Sequence, residues 1–388
     1  MKIVHCCLAA FYIDDYSYQE NKFPKFHKMQ GHEVSILAST ETYLESKKLG
    51  YLRPSSYFTK EGIRITRLPY TKMIPHLIAK KLRIYKGLEK RLNEIKPDII
   101  FLHDCQFLSI LKIVKYAKSN KVKIYADCHT DFINSGKNWI SKNILHGIIY
   151  KYCIQKIIKY TTRFYGTLPL REEFLKNVYD VPSEKISLLP FGVDDSLFKE
   201  EDKSKIRNKI RNKLNLNEGD FVIISGGKID MRKNIDKLIK VFLKIKSKEI
   251  IKNLKFILFG KPVKELEEII ALVQKNSDVR YIEWLKSDEI HKYMLASDLV
   301  VFPGTHSVLW EEAVGLGLPC VFKRWEGIDH IDLGGNCLFI KEDNVEELTS
   351  ILMELIRNRS TFTKLKHNAQ RLGPSYFSYS KISKRAIE

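Results

Sequence analysis

What the 388-residue sequence lacks excludes several classes of protein. Its seven cysteines include no Cys-x-x-Cys pair, which argues against a disulfide framework or a zinc site and favours reduced, buried thiols in a cytosolic protein. No apolar run approaches the roughly 20 residues that span a bilayer. His-Glu-x-x-His and Gly-x-Ser-x-Gly are both missing, so neither zinc-dependent proteolysis nor serine hydrolysis is indicated. The opening residues, MKIVHCCLAAFYIDD, favour a first β-strand over a signal peptide, because two acids follow a short apolar run.

Positive charge is in excess. The 66 Lys and Arg residues against 46 Asp and Glu give a formal net charge of +20. Such a balance suits nucleic acid, an acidic membrane face or a phosphorylated small molecule, although a Lys-rich genome would produce the same excess. The basic residues are spread along the chain without an Arg-rich tail, which argues against nucleic acid. With 44% hydrophobic and 29% charged residues the chain is globular, and its length predicts two domains.

Short apolar strands alternate with longer amphipathic segments in both halves, which predicts an α/β fold with two doubly wound parallel sheets. The predicted strands cover residues 2–8, 33–38, 63–68, 98–102, 121–126, 163–166, 221–225, 255–259, 279–283, 298–302 and 320–322. The predicted helices cover residues 18–30, 77–95, 108–118, 139–159, 233–248, 263–274, 288–295, 307–315 and 345–357. The predicted divisions are a first Rossmann-like domain (1–192), a charged linker with a helical piece inside it (193–218), a second Rossmann-like domain (219–372) and a terminal helix (373–388).

Ligands of doubly wound sheets bind beyond the carboxyl ends of the strands, so polar residues there are candidates. In the stretch ISGGKIDMRKN a strand runs into Gly227, and Lys228 and Lys233 follow before a helix, a pattern that favours a phosphate. It is neither a GxGxxG nor a Walker loop, so a nucleoside triphosphate is not implied. A glycine-rich turn with solvated lysines is the alternative. Lys261 ends a similar strand, ILFGKP, where an ordinary turn is the alternative.

The stretch FPGTHSVLWEEAVGLGLPC predicts a helix that starts near Ser307. The backbone amides of Thr305, His306 and Ser307 would then point at a bound anion. Glu312 lies about one turn inside that helix, where a carboxylate can accept two vicinal hydroxyls, as on a ribose. Alternatively Ser307 is only an N-cap and both glutamates face solvent; for Glu311, solvent exposure is the prediction in either case.

Histidines stand at two strand ends of the first half. His103 and Asp104 follow the strand PDIIFL, and His129 follows KIYADC and opens the polar loop HTDFINSGKN. Such loops commonly line sites, which makes His129 the better candidate, while a structural histidine is the alternative at each position.

Two basic amphipathic segments, IPHLIAKKLRIYKGLEKRLNEI and KNWISKNILHGIIYKYCIQKIIKY, carry apolar residues at helical spacing. Their apolar stripes are typical of helices that pack on a sheet. The basic and aromatic residues that remain suit an anionic membrane surface. Together with the absence of a spanning run, this predicts a cytoplasmic protein, peripheral on the inner face of the cell membrane.

Segments along nearly the whole chain resemble the family-4 retaining glycosyltransferases, whose GT-B architecture has two Rossmann-like domains facing across a cleft. MKIVHCC…KFHKMQGHEVSILAS is similar to the family's first strand, helix and second strand, and LLPFGVDDSLF to the segment that leaves the first domain. GGKIDMRKNIDKLIKVF is similar to the family's GRLxxxKGxxxLIxAF, and EEAVGLGLPCVF to its EAxAxGxPVV. YFSYSKI resembles the terminal helix that crosses back to the first domain.

The resemblance implies a nucleotide diphosphate sugar donor, a UDP-sugar before a GDP-sugar, held mainly by the second domain without metal or cofactor. It implies catalytic roles for His129 near the transferred sugar and for Lys228 and Lys233 on the diphosphate. Glu312 would hold the ribose hydroxyls. The other donor contacts that the resemblance implies are Trp284, Leu285, Thr305, His306, Ser307, Val308 and Leu309, and the strand-end patterns add Gly227 and Lys261.

Two positions depart from the family's pattern. The family's first glutamate, eight residues before the second, falls on Gly304, so the donor sugar is not implied and Thr305 or His306 would substitute for that contact. The stretch DDYSYQEN replaces the glycine pair of the first βα loop. PGTHSVLW and YQEN look similar to variants among bacterial surface-polysaccharide transferases.

These observations predict retaining transfer of a hexosyl unit to a glycan or polyprenyl-diphosphate-linked acceptor in cell-surface polysaccharide synthesis. The leaving diphosphate would be stabilised by lysines and loop amides. One alternative is a nucleotide-sugar epimerase on the same fold, which would convert its donor without an acceptor. Another is a non-catalytic basic scaffold or nucleic-acid binder, against which the phosphate-facing lysines argue.

Overall fold

The chain forms two compact units. Unit 1 comprises residues 1–190 and 382–388, and unit 2 comprises residues 191–381. The chain therefore returns to unit 1 in its last residues, whereas the segment predicted as a linker, 193–218, belongs to unit 2. The computed structural model describes residues 1–44, 48–131, 139–247 and 251–388.

The strands described in unit 1 are β1 (Lys2–Cys7), β2 (Glu33–Ser39), β3 (Glu41–Tyr43), β4 (Leu49–Tyr51), β5 (Ser56–Phe58), β6 (Arg64–Leu68), β7 (Ile99–His103), β8 (Lys123–Cys128), β9 (Thr161–Gly166) and β10 (Ile186–Leu188). Eight of them form one sheet in the order β10-β9-β8-β7-β1-β2-β6-β5. Its strands are parallel except β5, which pairs antiparallel with β6. β3 and β4 form a separate antiparallel hairpin. The order reverses between β1 and β7, as in a doubly wound sheet.

The helices described in unit 1 are α1 (Gln19–Met29), α2 (His76–Lys81), α3 (Leu88–Ile95), α4 (Ile110–Ser119), a π-helix (Ile140–Tyr150), α5 (Lys151–Ile157) and α6 (Pro169–Asn177). The sheet is buried on both faces. Val4 and Cys6 of β1 belong to one apolar cluster, and Cys7 belongs to another. Successive strand residues point to opposite faces, which explains why the parallel strands read as continuous apolar runs.

Unit 2 has a six-stranded parallel sheet. Its strands are β11 (Phe221–Gly226), β12 (Leu254–Phe259), β13 (Val279–Ile282), β14 (Leu299–Phe302), β15 (Cys320–Lys323) and β16 (Cys337–Ile340). Its helices are α7 (Glu200–Lys213), α8 (Ile235–Ser247), α9 (Glu267–Gln274), α10 (Ser287–Ala296), α11 (Leu309–Gly315), α12 (Val345–Arg357), α13 (Arg359–Tyr376) and the start of α14 (Tyr379–Arg385). The order β13-β12-β11-β14-β15-β16 is that of a Rossmann fold. The predicted fold class, two Rossmann-like α/β domains, is confirmed.

Two predicted helices were wrong in detail. The segment 77–95 is interrupted between α2 and α3, where Arg83 and Gly87 take left-handed backbone conformations (φ 53° and 85°) that a helix cannot contain. The break predicted near residue 373 lies further on, because α13 continues through Pro374 to Tyr376. The strands that sequence patterns missed are three or four residues long, too short to show a period: β3, β4, β5, β10 and β16.

All seven cysteines lie in the described part of the chain, and each is a buried free thiol. Among the described residues, no helix combines the length and apolarity that a membrane span requires.

Candidate active site

The candidate donor site lies in unit 2, at the edge of the sheet where the strand order reverses. β11 and β14 are neighbours there, and ligands of doubly wound sheets bind at such a switch point. The loop after β11 also meets the loop after β12 backbone to backbone. The amide of Gly227 donates to the carbonyl of Phe259 at 3.1 Å, and a Cβ at Gly260 would lie 1.7 Å from the carbonyl oxygen of Gly227. Only glycine fits so close a crossing.

Lys233 joins the loop after β11 to the loop after β14. It ends a 3₁₀ turn, Met231–Lys233, and its side chain is half-buried. Nζ donates to the carbonyl oxygens of Thr305 at 2.8 Å and His306 at 3.1 Å. Burial lowers the pKa of this ammonium group, and Asp230 opposes the shift. The third N–H of Lys233 has no acceptor among the described residues, so it can bind an anion.

Gly304 has no room for a side chain. A Cβ there would lie 2.3 Å from the carbonyl oxygen of Arg232 and 2.3 Å from the Cα of Lys233. The amide of Thr305 donates to the same Arg232 carbonyl at 2.9 Å, so the two loops pack backbone to backbone. A glutamate at position 304 would require a different backbone path. The departure from the family's pattern is therefore built into this loop.

The predicted start of the helix after β14 was wrong. α11 begins at Leu309, two residues after Ser307, and no side chain caps it. The Ser307 carbonyl accepts from the amide of Trp310 at 2.9 Å. Because the amide of Thr305 is already bonded to Arg232, it does not point at an anion as expected.

Glu311 is buried, and the prediction that it faces solvent was wrong. Its Oε1 lies 2.8 Å from Nε2 of His306 and 3.0 Å from Nε2 of His330. Burial alone would raise the pKa of this carboxyl, but the two histidines outweigh burial and lower it to about 2. Glu311 therefore holds the His306 ring in place, with the indole of Trp310 in edge contact at 5.3 Å.

Glu312 is also buried, but it is not fully paired. Its Oε2 lies 3.2 Å from Nε2 of His291 on α10, within the distance of an ion pair. The geometry is not that of a hydrogen bond, so neither atom has a hydrogen-bond partner among the described residues. A buried acceptor of this kind carries an energetic penalty until a donor reaches it. Glu312 is therefore suited to accept hydroxyl groups from a ligand.

The remaining predicted donor contacts lie at neighbouring strand ends of unit 2. Lys228 is exposed after β11, and Lys261 is exposed after β12, with its Nζ 3.9 Å from Glu283. After β13, Trp284 is 72% exposed and Leu285 is buried. Gly227 lies close to the helix that carries Glu312, since a Cβ there would be 3.5 Å from a methyl group of Leu309. The last predicted contact, Val308, is exposed at the N-cap of α11.

His129 lies in unit 1, directly after β8. Its Nε2 is 3.3 Å from Oδ1 of Asp127, whose Oδ2 is 2.9 Å from Nδ1 of His103. Burial by itself lowers the pKa of His129, but Asp127 outweighs burial and raises it to about 9. Asp127 itself keeps a pKa well below its usual range despite burial, because His129 and His103 are close. His129 is thus an imidazolium at neutral pH. The residues that follow, 132–138, lie outside the described residues.

Sequence patterns missed three residues of these clusters: Asp127, His291 and His330. Asp127 reads as an interruption of an apolar strand, and a buried charge inside a strand was the available signal. His291 and His330 carried no signal, because their carboxylate partners come from other elements of the fold. Among the described residues, no group of three or more His, Cys, Asp or Glu side chains could hold a metal ion.

We expect Gly304→Ala to lower the stability of the protein by about 1–3 kcal/mol, because the added methyl group overpacks a backbone contact. The shift in the midpoint of urea unfolding measures this change. Gly219→Ala is the matched control, since a Cβ there meets nothing within 4 Å. Gly304→Glu should be no more stable than Gly304→Ala. A Gly304→Glu variant that was both stable and more active would contradict the close backbone contact at Gly304.

We expect Glu311→Gln to cost about 3 kcal/mol at pH 7, because a buried, paired carboxylate is replaced by a neutral amide. A carboxyl with a lowered pKa stabilises the fold above its unfolded pKa, about 4.3. That contribution is lost as the pH falls towards about 2. The difference in urea midpoint between wild type and variant should therefore shrink from pH 7 to pH 3. Glu268→Gln, on the exposed start of α9, should show no such difference.

The chain matches two known protein families. Residues 25–197 match the family described as Glycosyltransferase Family 4, and residues 206–372 match the family described as Glycosyl transferases group 1. The alpha-monoglucosyldiacylglycerol synthase of Acholeplasma laidlawii is 21% identical over 88% of this chain and 84% of its own length.

Two solved structures share the fold. A glycosyltransferase from Rickettsia africae superposes with a TM-score of 0.67 at 14% identity, over 99% of this chain and 96% of its own. Anabaena HepE in complex with UDP-glucose superposes with a TM-score of 0.63 at 15% identity, over 100% and 98%. Two glycosyltransferase families match the chain, and the chain folds into two Rossmann-like units. The chain therefore belongs to the family-4-like glycosyltransferases of the GT-B fold.

Proposed function

We propose that this glycosyltransferase moves a hexosyl unit from a nucleoside diphosphate sugar, preferably a UDP-sugar, with retention of configuration. The observation that carries the proposal is the buried Oε2 of Glu312, which lacks a hydrogen-bond donor among the described residues at the switch point of unit 2. Vicinal ribose hydroxyls would supply that donor. The UDP-glucose bound by Anabaena HepE, a protein of the same fold, supports the choice of nucleotide.

Lys233 and Lys228 would hold the diphosphate. Negative charge grows on the leaving diphosphate as the glycosidic bond breaks, and a fixed ammonium group stabilises that charge. Lys233 is fixed by its two hydrogen bonds to the loop after β14, while the side chain of Lys228 is exposed. Catalysis through lysines needs no metal ion, and metal-independent transfer is part of the proposal.

His129 would act on the acceptor and sugar side. As an imidazolium, it donates hydrogen bonds and stabilises negative charge near the transferred sugar. The deprotonation of the acceptor hydroxyl falls to the leaving phosphate, on the same face as the departing group. That assignment accounts for retention without a nucleophilic side chain.

A titration with nucleotides tests the donor site. UDP and UDP-sugars should raise the melting temperature of the wild type, because they bind only the folded state. Lys233→Ala and Glu312→Ala should each weaken binding by about ten- to a hundredfold, since each loses a hydrogen bond to a charged group. Lys244→Ala, which removes an exposed lysine of α8, is the control. Wild-type binding in both site variants would refute the site.

The reaction product distinguishes a transferase from an epimerase. An epimerase would convert its nucleotide sugar without an acceptor, whereas the proposed transferase releases nucleoside diphosphate at a rate that rises with acceptor concentration. The two family matches, both to glycosyltransferases, favour transfer.

We further propose that the acceptor is lipid-linked or part of a surface glycan, and that unit 1 meets it on the inner face of the cell membrane. α2 and the π-helix Ile140–Tyr150 meet at a hydrogen bond from the Tyr150 hydroxyl to the Lys81 carbonyl (3.1 Å). Each helix exposes large apolar side chains: Leu77 is 79% exposed, and Ile148 is 63% exposed. Exposed lysines flank them, and this combination suits anionic lipids. The related alpha-monoglucosyldiacylglycerol synthase of Acholeplasma laidlawii, whose name gives a glycolipid as its product, supports the proposal.

Leu77→Asp should reduce sedimentation with phosphatidylglycerol vesicles severalfold, because it places a carboxylate against an anionic surface. Leu272→Asp, at a residue that is 62% exposed on α9 of unit 2, should sediment like the wild type. Equal loss in both variants, or binding to phosphatidylcholine that matches binding to phosphatidylglycerol, would contradict the proposed surface.

A further inference from the structure

A chain of three buried histidines runs through the centre of unit 1. Nδ1 of His103 lies 2.9 Å from Oδ2 of Asp127, and Nε2 of His103 lies 3.0 Å from Nδ1 of His5. Nε2 of His5 lies 3.0 Å from Nδ1 of His27, whose Nε2 lies 2.8 Å from the carbonyl oxygen of Ser383. The three imidazoles have no exposed surface. The chain therefore connects the returning C-terminal segment to the carboxylate that pairs with His129.

Counting hydrogens fixes the charge of this chain. It contains four hydrogen bonds, and each needs one hydrogen between its two heavy atoms. A neutral imidazole carries one N–H, so three neutral rings supply only three. At one end the Ser383 carbonyl can only accept, and at the other the ionised Asp127 can only accept. The chain must therefore contain four N–H hydrogens, one more than three neutral rings provide.

The direction of the bonds follows from the carbonyl end. His27 must donate from Nε2 to Ser383, so its Nδ1 accepts from Nε2 of His5. His5 then accepts at Nδ1 from Nε2 of His103, and His103 is left to donate from Nδ1 to Asp127 as well. His103 thus carries both N–H groups, and it is the ring beside the carboxylate.

The surroundings support that location of the charge. Burial lowers the pKa of His5, and it lowers the pKa of His27 to about 4, so these two rings stay neutral. Next to His103, the charge of Asp127 compensates an imidazolium. The opposite end of the chain meets His32, whose ring centroid is 6.0 Å from that of His27.

We propose that His5, His27 and His103 form a hydrogen-bonded chain that keeps one extra proton on the ring beside Asp127. The chain thereby positions the Asp127 carboxylate for His129. His103 is a positioning residue, because its Nδ1–H holds Oδ2 of Asp127, the oxygen that faces away from His129, while its Nε2–H is bonded to His5. Asp127 has its other oxygen, Oδ1, between His129 and the amide of Asp104, which donates at 3.0 Å. The positioning role rests on the proposed function, whereas the proton count does not.

The proton assignment is tested directly by nitrogen NMR of the full-length chain labelled with ¹⁵N-histidine. At pH 7.5 the two ring nitrogens of His103 should both be protonated, while His5 and His27 should be neutral and protonated at Nε2 only. Single substitutions of each histidine assign the signals. Three neutral rings, or an imidazolium at His5 or His27, would overturn the inference.

The positioning role is tested by the pH profile of transfer. The groups that face this end of the chain are Asp127, His129, Asp104 and Glu20, which is close enough to raise the pKa of His129. Activity should fall as the pH rises through the pKa of His129, about 9. His103→Gln keeps an N–H donor for Asp127 but removes the positive charge, so the basic limb should move up by about one unit.

In His103→Gln, kcat should fall while the KM for the donor stays unchanged, because the donor is held by unit 2. His32→Gln, outside the chain, should keep the wild-type profile. If His103→Gln lowered only the amount of folded protein and left the basic limb in place, the positioning role would be refuted. If the wild type lacked transferase activity while His103 remained doubly protonated, the proposed function would fail and the proton assignment would stand.

Discussion

Unit 2, which carries the candidate donor site, depends on one constraint: three loops at the carboxyl edge of its sheet touch through their backbones. The close approach of the loops after β11 and β12 needs glycine, and so does the approach of the loop after β14 to the 3₁₀ turn before α8. Because the loops are in contact, the ammonium of Lys233 reaches two carbonyl groups across the switch point. The same contact fixes where α11 starts, and hence where its two glutamates point.

In each unit, a buried carboxylate is stabilised in the same way. Asp127 in unit 1 and Glu311 in unit 2 each lie against two histidines, and each keeps a lowered pKa although burial opposes ionisation. A buried charge without partners would be far costlier. Glu312 is the contrast, because His291 lies beside it and yet, among the described residues, Oε2 has no hydrogen bond. The difference separates a carboxylate that builds the site from one that is suited to a ligand.

Sequence patterns predicted the fold more completely than they predicted the sites. The buried parallel strands, the alternation with helices and the strand-end lysines all have local signals, so the two Rossmann-like units and the region around Lys233 could be predicted. The role of Glu311 could not, because its partner His330 lies 19 residues away and carries no periodic signal. The histidine chain was equally hidden, since His5 and His103 look like ordinary interruptions of apolar strands until β1 and β7 are paired.

The return of residues 382–388 to unit 1 has a consequence for synthesis on the ribosome. Domains generally fold as they emerge, amino-terminal first. Here the carbonyl of Ser383, which ends the histidine chain, emerges only after all of unit 2. Until Ser383 has been made, Nε2 of His27 lacks the carbonyl oxygen that accepts its hydrogen bond. Unit 1 is therefore completed only after unit 2 has been made, although most of unit 1 is made first.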